Sequence, residues 1–206
     1  MSLFWESVSQ FFGDLFTYAM IAVFLENTIF SRALGSSTAL FAVRKKFNVI
    51  LVGLIMTGII TLASILVYFI NPLVRSLPYA YYITPAAYVG VIAVVYVAAL
   101  LVTRRFVRAY QRDVLSIIHV SAFNCASLGA LMLASEISGA SLGAYLGFAV
   151  GSGLGFTLAM FLVKLAYERL SSDEVPQTFR GFPITLLYIG LVSLALYGLI
   201  GHQLPF

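Results

Sequence analysis

Two charged residues lie in an apolar stretch near the N-terminus, where charge is costly if the stretch crosses a membrane. Glu26 falls within the run 24–34, and a carboxyl group inside a bilayer must be paired, protonated or hydrated. Glu26 is therefore a candidate proton or cation site; the alternative is a span that ends early and leaves it in a hydrated re-entrant loop. Arg32 has a poor helical spacing for pairing with Glu26. We expect its side chain to extend to the cytoplasmic interface, unless a break near Gly35 brings the two together.

The single cysteine and one histidine are further candidate ligands for a metal. Cys125 is the only cysteine in 206 residues, so an intrachain disulfide is excluded. A free cysteine can serve as a thiolate ligand, but it behaves more often as a small buried hydrophobic residue. His119 has no second histidine, cysteine or carboxylate at ligand spacing and is interpreted as an interfacial polar residue. The sequence contains no phosphate loop, zinc-protease motif or nucleophile–base pair, which argues against a self-contained enzyme.

The elements that position these residues must be membrane helices. Hydrophobic residues make up 61% of the chain and charged residues 10%, whereas an ordinary soluble domain is about 25% charged. The mean hydropathy of +1.00 leaves too little polar surface to cover a water-soluble globule. The sequence therefore predicts an all-α integral membrane protein in which residues 1–206 form a single membrane domain.

Six stretches are long and apolar enough to cross a bilayer. A spanning helix needs about 20 residues, and the candidates are 12–34, 48–70, 83–103, 114–134, 142–165 and 183–201. The connections between them are short and polar or contain proline. The fold class predicted is thus a bundle of six transmembrane helices.

The basic residues indicate how this bundle is oriented. Of the 12 lysines and arginines, all but Arg75 fall on the side of the first, third and fifth loops: Arg32, Arg44, Lys45, Lys46, Arg104, Arg105, Arg108, Arg112, Lys164, Arg169 and Arg180. Positive loops stay in the cytoplasm, so both termini are predicted outside the cell inner (cytoplasmic) membrane. Tyr79, Tyr81 and Tyr82 belong to the outer aromatic belt. Because the charges lie in short loops between apolar runs, a nucleic-acid partner is excluded.

The first and fourth spans carry matching polar interruptions. Each has an asparagine and a glycine in an apolar setting, namely Asn27 with Gly35 and Asn124 with Gly129. Corresponding interruptions in two halves suggest a 3+3 inverted repeat, with a first half 1–112 and a second half 113–206. The fifth span has glycines four residues apart, a smooth face for close helix packing: Gly143, Gly147, Gly151 and Gly155.

Several motifs together resemble the RnfA/NqrE-type membrane subunits of the Rnf and Na⁺-translocating NADH:quinone reductase family. Residues 168–181 read ERLSSDEVPQTFRG and are similar to that family's RERL…VPxxFRG signature. Residues 124–126 and 128–129 match its NCA and LG motif, and 155–158 resembles its fifth helix. The resemblance is strongest over 119–201 and weaker, but collinear, over 24–70.

This resemblance implies a role in complexes that couple electron transfer to Na⁺ or H⁺ movement. In the family, the subunit pairs with a homologue of opposite orientation, and each contributes two cysteines to a [2Fe–2S] cluster in the membrane. Cys125 falls on the second-half cysteine position, whereas Ser37 falls on the first-half one. An alcohol is a poor substitute for a soft thiolate, so any cluster is expected to be completed by a partner subunit. The Asn27–Gly35 and Asn124–Gly129 segments remain candidates for an ion pathway or a structural motif.

Two functions from different classes follow. The first is a redox-complex subunit that acts as scaffold and electron conduit, with partner subunits holding flavins and the NADH or ferredoxin site. The second is a family offshoot without a redox centre that works as a transporter or a membrane scaffold. Its mate in the membrane is either the homologous subunit or a second copy in a homodimer. Retention of Asn124 and Cys125 favours the first function; Ser37 and Glu26 favour the second.

Overall fold

Helices form the fold of the described chain, as predicted. The computed structural model describes residues 2–106, 111–137, 141–172 and 175–200, and the ordered elements within those ranges are helical. Arg108, residues 173–174 and position 201, which entered the predictions above, lie outside the described residues. The helices are α1 Ser2–Met20, continued as a π turn over Ile21–Leu25, α2 Ser36–Arg44, α3 Val49–Arg75, α4 Ala80–Phe106, α5 Gln111–Ala122, α6 Cys125–Glu136, α7 Leu142–Leu170 and α8 Phe182–Ile200.

Within the described ranges, four helical stretches are long and apolar enough to cross a membrane, namely Phe4–Leu25, Val49–Arg75, Ala80–Arg105 and Leu142–Leu170. A fifth crossing results if Val114–Ala122 and Cys125–Glu136, which meet at an angle of 46°, count as one broken span. The apolar stretch Phe182–Gly198 is shorter. This set of helices is that of a multi-pass membrane protein, and it confirms that the predicted fourth span is interrupted.

The predicted boundaries of the first span are wrong at both ends. The helix begins at Ser2 and, with its π turn included, ends at Leu25, not at 12 and 34. Glu6 and several hydroxyl residues conceal the helical start from a hydropathy pattern. The end comes early because the side chain of Asn27 accepts hydrogen bonds from the backbone N–H groups of Ile29 and Phe30 and so replaces the helical ladder.

The predicted connection 71–82 is also mostly helical. Helix α3 continues through Pro72 to Arg75, and α4 begins at Ala80. Proline is tolerated in membrane helices because neighbouring groups satisfy the freed backbone carbonyls. The turn between the two helices therefore spans only residues 76–79, and Arg75 lies on a helix instead of in a loop.

Helix α7 is the central element, and its glycine face packs as predicted. A Cβ built on Gly143, Gly147 or Gly151 would overlap the α1 backbone at Phe11, Leu15 or Ala19, and one on Gly155 would press on Val23. Because both series of residue numbers rise together, α1 and α7 run parallel. Another face of α7 meets α3 in the antiparallel sense, since Gly53 abuts Thr157 while Gly153 abuts Thr57.

Candidate functional site

The first break occupies residues 26–35, between α1 and α2, and is organised by one buried amide. Asn27 is 2% exposed. Its Oδ1 accepts hydrogen bonds from the N–H groups of Ile29 and Phe30, both at 3.1 Å. Its Nδ2 donates to the carbonyl of Val23 at 3.0 Å and to that of Gly155 at 3.1 Å. The side chain thus satisfies backbone groups that the helix no longer serves, and it ties the break to α7.

The second break is much shorter and is capped by the second asparagine. Asn124 precedes α6, and its Oδ1 accepts a hydrogen bond from the N–H of Ala126 at 3.1 Å. Across the break, the hydroxyl of Ser127 donates to the carbonyl of Ser121 at 2.7 Å. These bonds satisfy the backbone at a bend between two half-helices, in surroundings where water is scarce.

The two breaks meet inside the protein. Gly35 has a φ of +77°, and a Cβ built on it would lie 2.9 Å from Cβ of Ala126 and 3.0 Å from Oδ1 of Asn124. A Cβ on Gly129 would overlap the side chain of Leu34. The structure therefore brings Gly35, Asn124 and Gly129 to one region. At Gly35 there is no room for a larger side chain between the two breaks.

The breaks also make reciprocal contacts with the opposite half of the chain. Asn27 reaches the carbonyl of Gly155 on α7, and Nδ2 of Asn124 approaches the sulfur of Met56 on α3 at 4.0 Å. Asn27 thus contacts α7, the long helix after the second broken pair, and Asn124 contacts α3, the long helix after the first.

Glu26 and Arg32 form an ion pair within the first break. Nε of Arg32 donates to Oε2 of Glu26 at 2.7 Å, and the side chains are 46% and 32% exposed for Arg32 and Glu26, respectively. Their spacing does not suit a helix, but the irregular backbone of the break lets the two side chains meet. The helix ends directly before Glu26, which agrees with the alternative that the first span ends early. The pair lines a cleft of about 290 Å³ together with Tyr18, Ile21, Leu133, Glu136, Ile137 and Phe148.

Cys125 and Ser37 face different cavities. Cys125 is exposed and lines an apolar groove of about 230 Å³ beside Val89, Ile92, Phe123 and Leu128. Ser37 lines a separate cavity with Leu40, Phe41, Arg44, Lys45 and Phe182. Across the described ranges, no three His, Cys, Asp or Glu side chains come close enough to hold a metal ion. A [2Fe–2S] cluster needs four ligands, typically thiolates, and the whole chain supplies one. Its own residues do not fit the cluster.

Sequence reasoning missed a polar network that joins the C-terminal ends of α3 and α6 to α4 and to the N-terminal end of α7. Nδ2 of Asn71 donates to the hydroxyl of Tyr145 at 2.7 Å, and the hydroxyl of Tyr88 donates to Oδ1 of Asn71 at 2.9 Å. Arg75 donates to Oδ1 of Asn71 at 3.2 Å and to the carbonyl of Ser135 at the end of α6. The sequence contains a signal for this network, because asparagine and tyrosine recur in otherwise apolar spans. From the sequence, Asn71 is assigned to a loop because Pro72 follows it.

His119 lies on the exposed surface of the described bundle next to an aromatic pair. Its Nδ1 is 2.8 Å from the hydroxyl of Tyr96, and the ring of Tyr96 also contacts that of Phe123. The contact involves a tyrosine and not a carboxylate or thiol, so it does not resemble a metal site.

Membrane-spanning helices with two breaks that meet within the bundle define the class: a multi-pass membrane protein with interrupted helices. A family model described as "Rnf-Nqr subunit, membrane protein" matches residues 15–202. The chain belongs to this family, as the motifs predicted.

Named relatives match over most of their length. The chain is 31% identical over 180 residues to a subunit of the "Ion-translocating oxidoreductase complex" of Syntrophotalea carbinolica, covering 87% of this chain and 93% of the relative. It is 32% identical over 180 residues to the protein of the same name from Yersinia enterocolitica, covering 87% and 92%.

Proposed function

We propose that this chain is a membrane subunit of an ion-translocating oxidoreductase complex that couples electron transfer to the movement of Na⁺ or H⁺. Family membership and the names of relatives that match almost end to end support this assignment. The observation that carries it is the meeting of Gly35 with Asn124, because half-helices that end inside a membrane concentrate polar backbone groups where charge must cross. The chain serves as scaffold and conduit, and partner subunits hold the flavins and the donor site.

A tagged copy of the chain in its native host tests this function. The chain should co-purify with flavin-binding and ferredoxin-like subunits, and membrane vesicles should show ion uptake when the electron donor is added. Deleting the gene should abolish donor-driven uptake, and a plasmid copy should restore it. Donor-driven uptake that persists in the deletion strain would contradict the assignment.

We further propose that six spans form a 3+3 inverted repeat of residues 1–112 and 113–206. Support comes from the paired contacts of Gly53 with Thr157 and of Thr57 with Gly153, which repeat a glycine–threonine spacing in α3 and α7. The reciprocal contacts of Asn27 and Asn124 follow the same exchange between halves. The parallel course of α1 and α7 suits spans one and five of an alternating bundle.

The proposed orientation places the chain in the cytoplasmic membrane with both termini outside. In a Cys125→Ser background, a cysteine at Ser76 should react with an impermeant thiol reagent in intact cells. A cysteine at Ser172 should be protected until the membrane is opened. Both positions are exposed in the structure, so burial within the protein does not confound the comparison. The reverse labelling pattern would overturn the orientation.

For the cofactor, we propose that any [2Fe–2S] cluster is shared and is completed by a homologous partner of opposite topology. Cys125 is the ligand this chain offers, and its exposure in an apolar groove suits a thiolate directed at a neighbouring protein. Ser37 occupies the other family position but lines a different cavity. A homodimer would supply only two thiolates, too few for a four-cysteine site.

Iron and acid-labile sulfide, measured in the purified chain and in its native complex, test this ligand assignment. We expect none in the isolated chain, and stoichiometric cluster in the complex that is lost on Cys125→Ala. Cluster in the isolated wild-type chain would refute the assignment. Complex without iron would favour the second function, an offshoot acting as transporter or scaffold, to which Ser37 already points.

A further inference from the structure

The Glu26–Arg32 pair lies level with the middle of α7, a helix long and apolar enough to cross the membrane. Its neighbour Asn27 bonds to the carbonyl of Gly155, and Gly155 is close to the centre of the 29-residue helix α7. At about 1.5 Å per residue, both ends of α7 are roughly 20 Å from that level. Charged side chains at such depth face a bundle interior or a water-filled cavity. The partial exposure of both members of the pair is explained if the adjoining cleft contains water.

The cleft at this pair shares one lining residue, Glu136, with a second cavity. Glu136, at the outer end of α6, lines the cleft of Glu26 and Arg32. It also lines a second cavity, of about 590 Å³, together with Arg75, Tyr81 and Tyr82 of the outer turn region. Glu136 is 77% exposed, and its Oε1 is 3.8 Å from Nη2 of Arg75. A route from the outer surface to the first break would therefore have an arginine–glutamate pair at each end, Arg75 with Glu136 and Arg32 with Glu26.

We propose that this route is an aqueous entry path for a monovalent cation, with Glu136 at its mouth and Glu26 as the terminal ligand. Arg32 is the built-in counter-ion, which neutralises Glu26 when no cation is bound and swings away when one arrives. The proposal rests on the proposed function, since it names the residues through which the outer side exchanges Na⁺ or H⁺ with the membrane centre. Both ions neutralise a carboxylate, and Tyr18 is the remaining polar side chain facing this pair from α1.

The first test asks whether the cleft holds water, and it does not depend on redox activity. Ile21 lines the cleft, whereas Phe24, in the same π turn, is 51% exposed away from it. In a Cys125→Ser background, Ile21→Cys should react with a cationic, impermeant thiol reagent from outside at least about tenfold faster than Phe24→Cys. Lipid surroundings raise the pKa of a thiol, and a rise of about one pKa unit lowers the fraction of reactive thiolate about tenfold. Ile137→Cys is a second cleft position, nearer the mouth.

The charge at the mouth gives this test its specificity. Glu136→Gln should slow the cationic reagent relative to an anionic one at Ile21→Cys, because the carboxylate attracts cations into the path. Equal, slow labelling of Ile21→Cys and Phe24→Cys in assembled protein would overturn the entry path, whatever the complex does with electrons.

The second test separates an ion ligand from a structural ion pair. Glu26→Gln leaves Arg32 unpaired, so misassembly is an expected complication; Glu26→Gln with Arg32→Gln removes both charges. If Glu26 is the ligand, the double variant assembles with normal cofactor content, but its donor-driven ion uptake falls at least about tenfold. Uptake is measured separately with ²²Na⁺ and with protons, and the ion whose uptake falls is the one that Glu26 binds. Normal uptake by the double variant would overturn the proposal. No uptake by the wild-type complex, with Ile21→Cys still labelled, would instead remove the proposed function and leave the water path standing.

Discussion

The two helix breaks solve the same problem in different ways. Both end a helix inside the membrane, and both use an asparagine to satisfy backbone groups. The first break extends over residues 26–35, and Asn27 makes two acceptor and two donor hydrogen bonds there. The second is limited to Phe123 and Asn124, and Asn124 caps α6 with a single backbone bond. The long break depends on its asparagine; the short one depends on a bend and a cap.

The breaks also differ in the chemistry they present. The first carries an ion pair, Glu26 with Arg32, in a cleft shared with Glu136. The second has no charged residue and presents a thiol, Cys125, in an apolar groove. The long break accommodates an ion pair in its irregular backbone, whereas the short break leaves a thiol in an apolar groove.

The largest difference in stability between the two breaks is expected when each asparagine is replaced by alanine. Asn27→Ala leaves the buried N–H groups of Ile29 and Phe30 without partners, and each such loss costs about 1–3 kcal/mol. We expect destabilisation of about 2–6 kcal/mol, measured as the midpoint of SDS-induced unfolding in mixed micelles followed by circular dichroism. If Asn27→Ala were no more destabilising than Asn124→Ala, the organising role of Asn27 would have to be abandoned.

The second-largest destabilisation is expected at Gly35, because this residue lies in the first break and contacts the second. Gly35→Ala places a side chain at a φ of +77° and 2.9 Å from Ala126 and Phe156. The unfavourable backbone conformation alone costs about 1–3 kcal/mol. The double change Gly35→Ala with Ala126→Gly should recover the part of the loss that comes from the contact with Ala126, but neither the contact with Phe156 nor the backbone part. Full recovery would show that φ at this position is relaxed, and no recovery would show that the two breaks do not press on each other.

The sequence predicted those parts of the breaks that depend on local pattern. Asparagine and glycine in apolar spans marked both interruptions, and the four-residue glycine spacing marked the face of α7 that meets α1. The motifs at 124–129, 155–158 and 168–181 together indicated the family. These features could be read because each follows from residue type and spacing alone, as do the all-helical class and the approximate positions of α3, α4, α7 and α8.

Features that depend on distant contacts escaped the prediction. The first break is joined to α7 by a bond from Asn27 to Gly155, 128 residues away, which no local window contains. The pairing of Glu26 with Arg32 needs the irregular backbone of that break. Likewise, the role of Arg75 at the end of α6 appeared only when α3 was seen to continue through Pro72. Hydrogen bonds between distant residues override hydropathy at Asn27 and at Arg75.

A smaller effect is expected at the cap of the second break. Asn124→Ala removes the hydrogen bond to the N–H of Ala126, and loss of such a cap costs about 1 kcal/mol. Asn124→Ser keeps a short capping oxygen and serves as the matched control, so it should unfold close to wild type. A loss as large as that of Asn27→Ala would mean that the approach of Asn124 to Met56 contributes far more than a weak sulfur contact.

The smallest effect is expected at Gly129, although it too touches the other break. A Cβ there would overlap the end of the Leu34 side chain, which is flexible and can rotate, unlike the backbone that confronts the glycines of α7. Alanine also favours a helix over glycine by about 1 kcal/mol, which offsets the repacking. Gly129→Ala should therefore change stability by less than about 1 kcal/mol, in contrast to Gly35→Ala. In a Leu34→Ala background the clash is absent, so Gly129→Ala should become stabilising. If it remains destabilising in that background, the obstacle is the helix path itself and the two breaks are packed more rigidly at this point than a single leucine contact implies.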